Sequence, residues 1–271
     1  MTQSTKALTA FGSNAKKGSL RAEVAAHLQS KLVLPDASTG ATLPNKLKDP
    51  PKNPYYDIWS WSCQNLKWTG PVPATANIKH SHHILPIFYL HFGCVCPTYD
   101  AISVIQQLSK EKDSVGKNKE IIEIGSGNGY WAFLLRKQGL IVHCVDNLLS
   151  TWRTMWIGDT IVADGVAFLR SPPANLISSL GKGAKEAILL LVYPQVSADF
   201  TAKVIGAFEG DTIVVAGTQN GNGFTAFKDE ILDHWMERER REFKKILQVP
   251  LPSFAGKDEA LFVFKRDVMT S

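Results

Sequence analysis

Short, mainly apolar runs recur from about residue 120 onward, each followed by a longer stretch with helical spacing. Runs near 121–124, 141–145, 160–163, 187–192 and 212–216 are too short for helices and too continuously apolar for strands with one wet face. That is the pattern of strands buried on both sides of a parallel sheet. Between them, apolar positions spaced by three and four residues predict helices near 129–138, 148–155, 165–180, 197–208 and 224–236. Two further apolar stretches, 242–249 and 259–265, flank the turn-rich Pro250-Leu251-Pro252-Ser253-Phe254-Ala255-Gly256. They read as an antiparallel pair. Strands alternating with helices specify a doubly wound α/β sheet. The expected fold class is therefore a Rossmann-like, seven-stranded α/β sheet closed by a C-terminal antiparallel hairpin.

The first third of the chain has a different texture. Residues 1–18 are polar and small. Ser19 is placed to cap a helix reaching Gln29 or Leu32, with Leu20, Val24, Ala25, Leu28 and Leu32 on its apolar face. Five prolines between 35 and 54 mark an arm or linker. Residues 55–97 are rich in aromatics and histidines and show no clear period. Thr98 precedes a helix expected from Tyr99 to Leu108. The expected organisation is a helical or irregular extension over 1–54, a lid or substrate segment over 55–97, and the sheet domain over 98–271.

Candidate chemistry concentrates where the first strand ends. Glu123-Ile124-Gly125-Ser126-Gly127-Asn128-Gly129-Tyr130 joins a strand to a helix through three alternating glycines. Glycines allow a sharp turn and a close approach to a ligand, and the helix start offers unpaired N–H groups to an anionic group. A dinucleotide fingerprint requires G-x-G-x-x-G, whereas here the spacing is G-x-G-x-G with an acid two residues ahead. That arrangement suits the methionine end of S-adenosylmethionine, whose ammonium a carboxylate can hold and whose carboxylate loop N–H groups can hold. Two more acids close the next two strands. Asp146, 17 residues after Gly129, suits the ribose hydroxyls, and Asp164 suits the adenine amine.

Together these features resemble the class I S-adenosylmethionine-dependent methyltransferases, over roughly residues 90–267. The wording E-I-G-S-G-N-G-Y-W is also similar to a little-characterised family with E-I-G-A-G-T-G-Y-W followed by W-P-P. Here the matching site is Leu191-Val192-Tyr193-Pro194-Gln195, in which the first and third motif residues are replaced. The resemblance implies a cofactor site made by Phe92, Glu123, Gly125, Ser126, Gly127, Tyr130, Asp146, Asn147, Asp164, Gly165 and Tyr193. The D/N-P-P-Y/F motif of many amino-methyltransferases is absent after the fourth strand.

Tyr193 stands beside the expected methyl group, so it is a catalytic candidate together with His82 and His83. Pro194 could equally do no more than end the strand. Tyr55, Tyr56, Trp59, Trp61 and Trp68 fall within 14 residues. They would either fasten the arm to the domain or roof the substrate. On the second reading Tyr55, Tyr56, Trp59, His82 and Pro194 contact the acceptor. Lys79-His80-Ser81-His82-His83, with His91, Cys94 and Cys96, offers six possible metal ligands, but the spacing fits no standard site. No metal is expected. Trp152 and Trp156, four apart, are expected on one face of the 148–155 helix.

Charge narrows the function classes. The net charge is +5, and the densest basic run, residues 238–245, is interleaved with acids. That is a solvated face rather than a nucleic-acid groove. No 18-residue apolar run exists, so no membrane span is expected. The first residues lack a continuous apolar core and four cysteines are present, which suggests a reduced, cytoplasmic setting. The expected function is methyl transfer from S-adenosyl-L-methionine to a small-molecule nitrogen, oxygen or sulfur nucleophile. An RNA (tRNA) or protein methyltransferase and a non-catalytic scaffold of the same fold are the alternatives. The acceptor and the oligomeric state are not legible.

Overall fold

The computed structural model describes residues 52–66, 69–70, 75, 84–177, 183–221 and 223–267. The helix anticipated over 19–32, Trp68 and the histidine cluster at 80–83 lie outside them. The strands are β1 (Ile121–Ile124), β2 (Val142–Asp146), β3 (Ile161–Val162), β4 (Ile188–Val192), β5 (Thr212–Thr218), β6 (Phe243–Pro250) and β7 (Glu259–Arg266). They form one sheet in the order β3-β2-β1-β4-β5-β7-β6. The first five run parallel, and β7 inserts antiparallel between β5 and β6. No described helix is long and apolar enough to cross a membrane.

Connections from β1 run outward through β2 to β3, then return to the other side of β1 to start β4. The chain therefore parts between β1 and β4, and a crevice opens at the carboxyl ends of these strands. Every residue of β1 and β5 is buried. Apolar clusters cover both faces: Ile121, Leu190 and Val214 point to one, Ile122, Leu191 and Val215 to the other.

The helices, in chain order, are α1 (Pro54–Asn65), α2 (Leu85–Phe92), α3 (Tyr99–Ser109), α4 (Tyr130–Lys137), α5 (Gly165–Arg170), α6 (Ala174–Ile177), α7 (Phe200–Ala207) and α8 (Leu232–Glu239). Pro54 begins α1, where its missing N–H costs nothing, and Asn53 caps it by accepting from the Tyr56 N–H at 3.2 Å. Asn53 also donates to the Pro97 carbonyl at 2.8 Å and accepts from the Tyr130 hydroxyl at 2.7 Å. One buried amide thus ties α1, the α2–α3 connection and α4 together. Tyr55 stacks on Phe92 and Phe88, with ring centroids 4.9 and 5.5 Å apart.

Three expected helices come out differently. Residues 148–155 form no helix. Their N–H groups turn to other elements: Arg153 and Thr154 donate to the Leu90 carbonyl and Trp156 to the Asn128 carbonyl. Tertiary hydrogen bonds outweigh a local propensity here. Trp152 and Trp156 consequently share no helix face; Trp156 enters the aromatic core. The 165–180 helix breaks after Arg170, where Ser171-Pro172-Pro173 removes two donors, and a short turn of helix follows in α6. The 224–236 helix begins only at Leu232, because 224–231 folds back so that Ala226 donates to the Pro194 carbonyl. The aperiodic segment 55–97 contains two helices, α1 and α2, which the aromatic crowding conceals.

His91 anchors the irregular 147–160 loop. Its ring, fully buried, meets the Thr154 hydroxyl at 2.8 Å through Nδ1, and its carbonyl accepts from Asn128 and from the Trp156 indole. Burial, assisted by the Arg153 charge, lowers the His91 pKa to about 4. The unfolded chain takes up this proton near the ordinary histidine value of ~6.5. Between those values the unfolded state holds more protons, so stability is complete above about pH 6.5 and falls as pH drops toward 4. The loss should reach about 3 kcal/mol at most. Urea unfolding of wild type and His91→Gln from pH 7.5 to 4.5 measures it. The difference between the two should narrow on acidification, and parallel curves would remove this role from His91.

Candidate functional site

A cavity of about 500 Å³ opens at the carboxyl ends of β1, β2 and β4. Its floor is the glycine turn after β1. Gly127 and Gly129 take φ of +57° and +76°. A β-carbon at Gly127 would lie 2.9 Å from the Trp152 ring, and one at Gly129 would lie 2.3 Å from Ile157. Backbone conformation and close packing both exclude side chains there.

The three acids stand around this floor in different states. Glu123, on β1, is buried, and its Oε2 has no hydrogen-bond partner. Burial pushes its pKa up to about 8 against the counter-pull of Arg136, with the Asp146 charge adding to the rise. Asp146, at the end of β2, accepts from the Gly127 N–H at 2.9 Å and the Leu148 N–H at 2.6 Å. Each oxygen keeps lone pairs for a further donor. Asp164 caps α5, accepting from the Ala167 N–H through Oδ1. While capping the helix, it also lines the cavity. Ser126 Oγ is a second buried, unpartnered polar atom in the lining.

Tyr193 follows β4 with φ of +51°, a left-handed conformation uncommon for an aromatic residue and often found at functional sites. Its hydroxyl accepts a hydrogen bond from Lys257 Nζ at 2.6 Å. Lys257 is itself buried, with its ammonium 3.7 Å from the Phe224 ring centroid, 5.1 Å from Tyr193 and 6.0 Å from Tyr89. Desolvation lowers its pKa. Glu259, at the start of β7, is buried nearby, and burial raises its pKa to about 7. Cys94 borders the cavity on this side, with its thiol pushed up to about 12 by burial.

The structure brings Phe92, Glu123, Gly125, Ser126, Gly127, Tyr130, Asp146, Asn147, Asp164, Gly165, Tyr193 and Pro194 to this one cavity. Tyr130 lines it at the start of α4, with its ring packed against Tyr55, Phe92 and Trp156 and its hydroxyl bonded to Asn53. Tyr55, Tyr56 and Trp59, anticipated as acceptor contacts, do not line it. Tyr55 has no exposure, Tyr56 and Trp59 pack against the same core, and the Trp59 indole donates to the Ser253 carbonyl. They fasten α1 to the domain. His82 and His83 fall outside the described residues. Among those described, no cluster of three potential ligands could hold a metal.

Lys257 and Glu259 were not anticipated from the sequence, although a signal existed. In an antiparallel strand the amino end lies where the parallel strands have their carboxyl ends, and Glu259 is in register with Thr218 at the end of β5. The first residues of β7 therefore reach the ligand edge.

No protein-family model and no curated protein matches the chain. Several solved structures do. Magnesium protoporphyrin IX methyltransferase (ChlM) from Synechocystis PCC 6803, with bound SAH, is 8% identical over 62% of this chain and 80% of its own, with a TM-score of 0.39. A putative tRNA (m1A22) methyltransferase from Streptococcus pneumoniae, in complex with S-adenosyl-L-methionine, is 12% identical over 65% and 76%, with a TM-score of 0.37. These values bear on neither substrate nor residue roles. The strand order and the antiparallel β7 give the architecture independently: the chain has a Rossmann-like, seven-stranded α/β fold.

Proposed function

We propose that this chain binds S-adenosyl-L-methionine in the β1–β2–β4 cavity and transfers its methyl group to a small-molecule nitrogen, oxygen or sulfur nucleophile. The carrying observation is the pairing of a side-chain-free glycine floor with two buried, unpartnered polar atoms, Glu123 Oε2 and Ser126 Oγ. Such atoms are rare in folded proteins unless a ligand or water completes them. An α-amino acid end supplies a matching ammonium and carboxylate. The cavity volume lies within the usual range for small-ligand sites, ~300–1,000 Å³.

In this reading Glu123 holds the ammonium, and Ser126 with the loop N–H groups holds the carboxylate. Asp146 receives the ribose hydroxyls, and Asp164 receives the adenine amine. The bound cofactor supplies a methyl group already activated by a sulfonium charge. The protein's task is then to align the acceptor and exclude water. Phe92, Cys94 and Tyr193 wall the end where the acceptor enters. The acceptor is proposed to be small because Lys203 is the only Lys or Arg among the described residues of the lining. A phosphate backbone needs several cations along its path.

Asp146→Ala should weaken S-adenosylhomocysteine binding by about 1.5–3 kcal/mol, the range for hydrogen bonds to a charged group. Calorimetry reads this directly, and unchanged affinity removes Asp146 from the site.

Glu123 gives a second test. With its pKa near 8, the carboxyl is mostly protonated at pH 7, and an arriving ammonium favours its ionised form. Binding at pH 7 should release close to one proton per cofactor, measured from calorimetry in two buffers of different ionisation enthalpy. Glu123→Gln should abolish the release. Proton-neutral binding by wild type contradicts the assignment. Transfer of labelled methyl to bulk tRNA, sensitive to salt, would instead favour a nucleic-acid acceptor.

A further inference from the structure

The acceptor end of the cavity carries a charged device that the cofactor has no use for. Lys257 Nζ is buried behind Tyr193, and no carboxylate lies within ion-pair distance of it among the described residues. It donates a hydrogen bond to the Tyr193 hydroxyl, and the rings of Phe224, Tyr193 and Tyr89 surround it. Burying an ammonium with so few partners is costly. Lys257 does not itself line the cavity; it stands one residue back, behind Tyr193, with the buried Glu259 acting on its charge.

The Tyr193 hydroxyl accepts from Lys257, so its own proton must point elsewhere. A hydroxyl that receives a charge-assisted hydrogen bond becomes a stronger donor through it. Tyr193 lines the cavity, and its hydroxyl also takes part in a side-chain hydrogen bond with Tyr89; on this reading it offers its own proton to an electron-rich atom of the acceptor. We propose that Lys257 is a positioning residue that acts through Tyr193 to select an anionic acceptor, a carboxylate, phenolate or thiolate. The inference rests on the cofactor reading above and narrows it to one substrate class.

The neighbouring groups are consistent with this. Facing Lys257 are Tyr89 from α2, Cys94 after α2, Tyr193 after β4, and Glu259 from β7. Cys94 and Tyr193 are both pushed toward their neutral, protonated forms, chiefly by burial. Neither is a base at neutral pH. An acceptor that arrives already deprotonated needs none. Its lone pair forms the new bond to the methyl carbon as the carbon–sulfur bond breaks, and that bond's electrons pass to sulfur. Anion and sulfonium are neutralised together, and no proton moves.

The test needs no knowledge of the natural acceptor. Sinefungin carries an ammonium where S-adenosylmethionine carries its methyl-sulfonium, and so reads the charge at the acceptor end. S-adenosylhomocysteine is neutral there. Calorimetry of both ligands gives an affinity ratio. Lys257→Met should raise the sinefungin-to-S-adenosylhomocysteine ratio roughly tenfold by removing a like charge, leaving S-adenosylhomocysteine affinity within about twofold. Lys257→Arg should restore the wild-type ratio, which loss of mere packing would not allow. If the methionine variant does not fold, Lys257→Gln, which keeps reach and an N–H donor, should show the same rise. An unchanged ratio in the folded variant overturns the inference. Failure of wild type to bind S-adenosylhomocysteine overturns the cofactor reading instead, and this inference with it.

Discussion

A carboxyl group sits with 1% exposure in the central strand of this sheet, and much of the site's logic follows from it. Glu123 is flanked on β1 by Ile122 and Ile124, and β1 is covered on both faces. The Ala132 N–H and the more distant charge of Arg136 relieve it only partly. One oxygen remains without a partner. An apolar residue would serve the fold better at this position. The polar group is intelligible if the sheet exists to present it to a cation at the crevice, where β1 and β4 part.

The surroundings of the crevice are built to hold its shape. Gly127 packs against Trp152 and Gly129 against Ile157, so the floor depends on the irregular 147–160 loop. That loop is fixed by Leu90, His91 and Asn128. The α2 helix carrying Leu90 and His91 is locked in turn by Tyr55 stacking on Phe88 and Phe92. The segment upstream of the sheet domain therefore acts on the site at one remove. It buttresses the wall that the loop and the glycines share, and among its described residues Phe92, Gly93 and Cys94 reach the cavity itself.

Much of this was legible in the sequence. All seven strands fall where the sequence places them, most plainly β1, β4 and β5, because strands buried on both faces leave a near-continuous apolar run. The glycine turn and the acids at the ends of β2 and β3 were likewise readable from their spacing, and they meet in one cavity. The absence of a helix over 148–155 was not, since Leu90 captures the Arg153 and Thr154 N–H groups across a gap in sequence that no local pattern reports. Tyr55 and Trp59 misled for a related reason. Aromatic crowding looks the same whether it covers a ligand or a neighbouring helix, and only the Phe88, Phe92 and Ser253 contacts tell the two apart. Lys257 escaped notice because it belongs to no motif. Its proximity to Tyr193 depends on β7 running antiparallel, across 64 residues of chain.

The account as a whole stands on the direction in which a ligand lies along the cavity. A crystal structure of the full chain with S-adenosylhomocysteine tests that most directly. The account requires the amino-acid end at Glu123 and Ser126, the ribose at Asp146, the adenine beside Asp164, and the sulfur turned toward Tyr193. A ligand lying in the reverse sense, or density outside the β1–β2–β4 crevice, would contradict it.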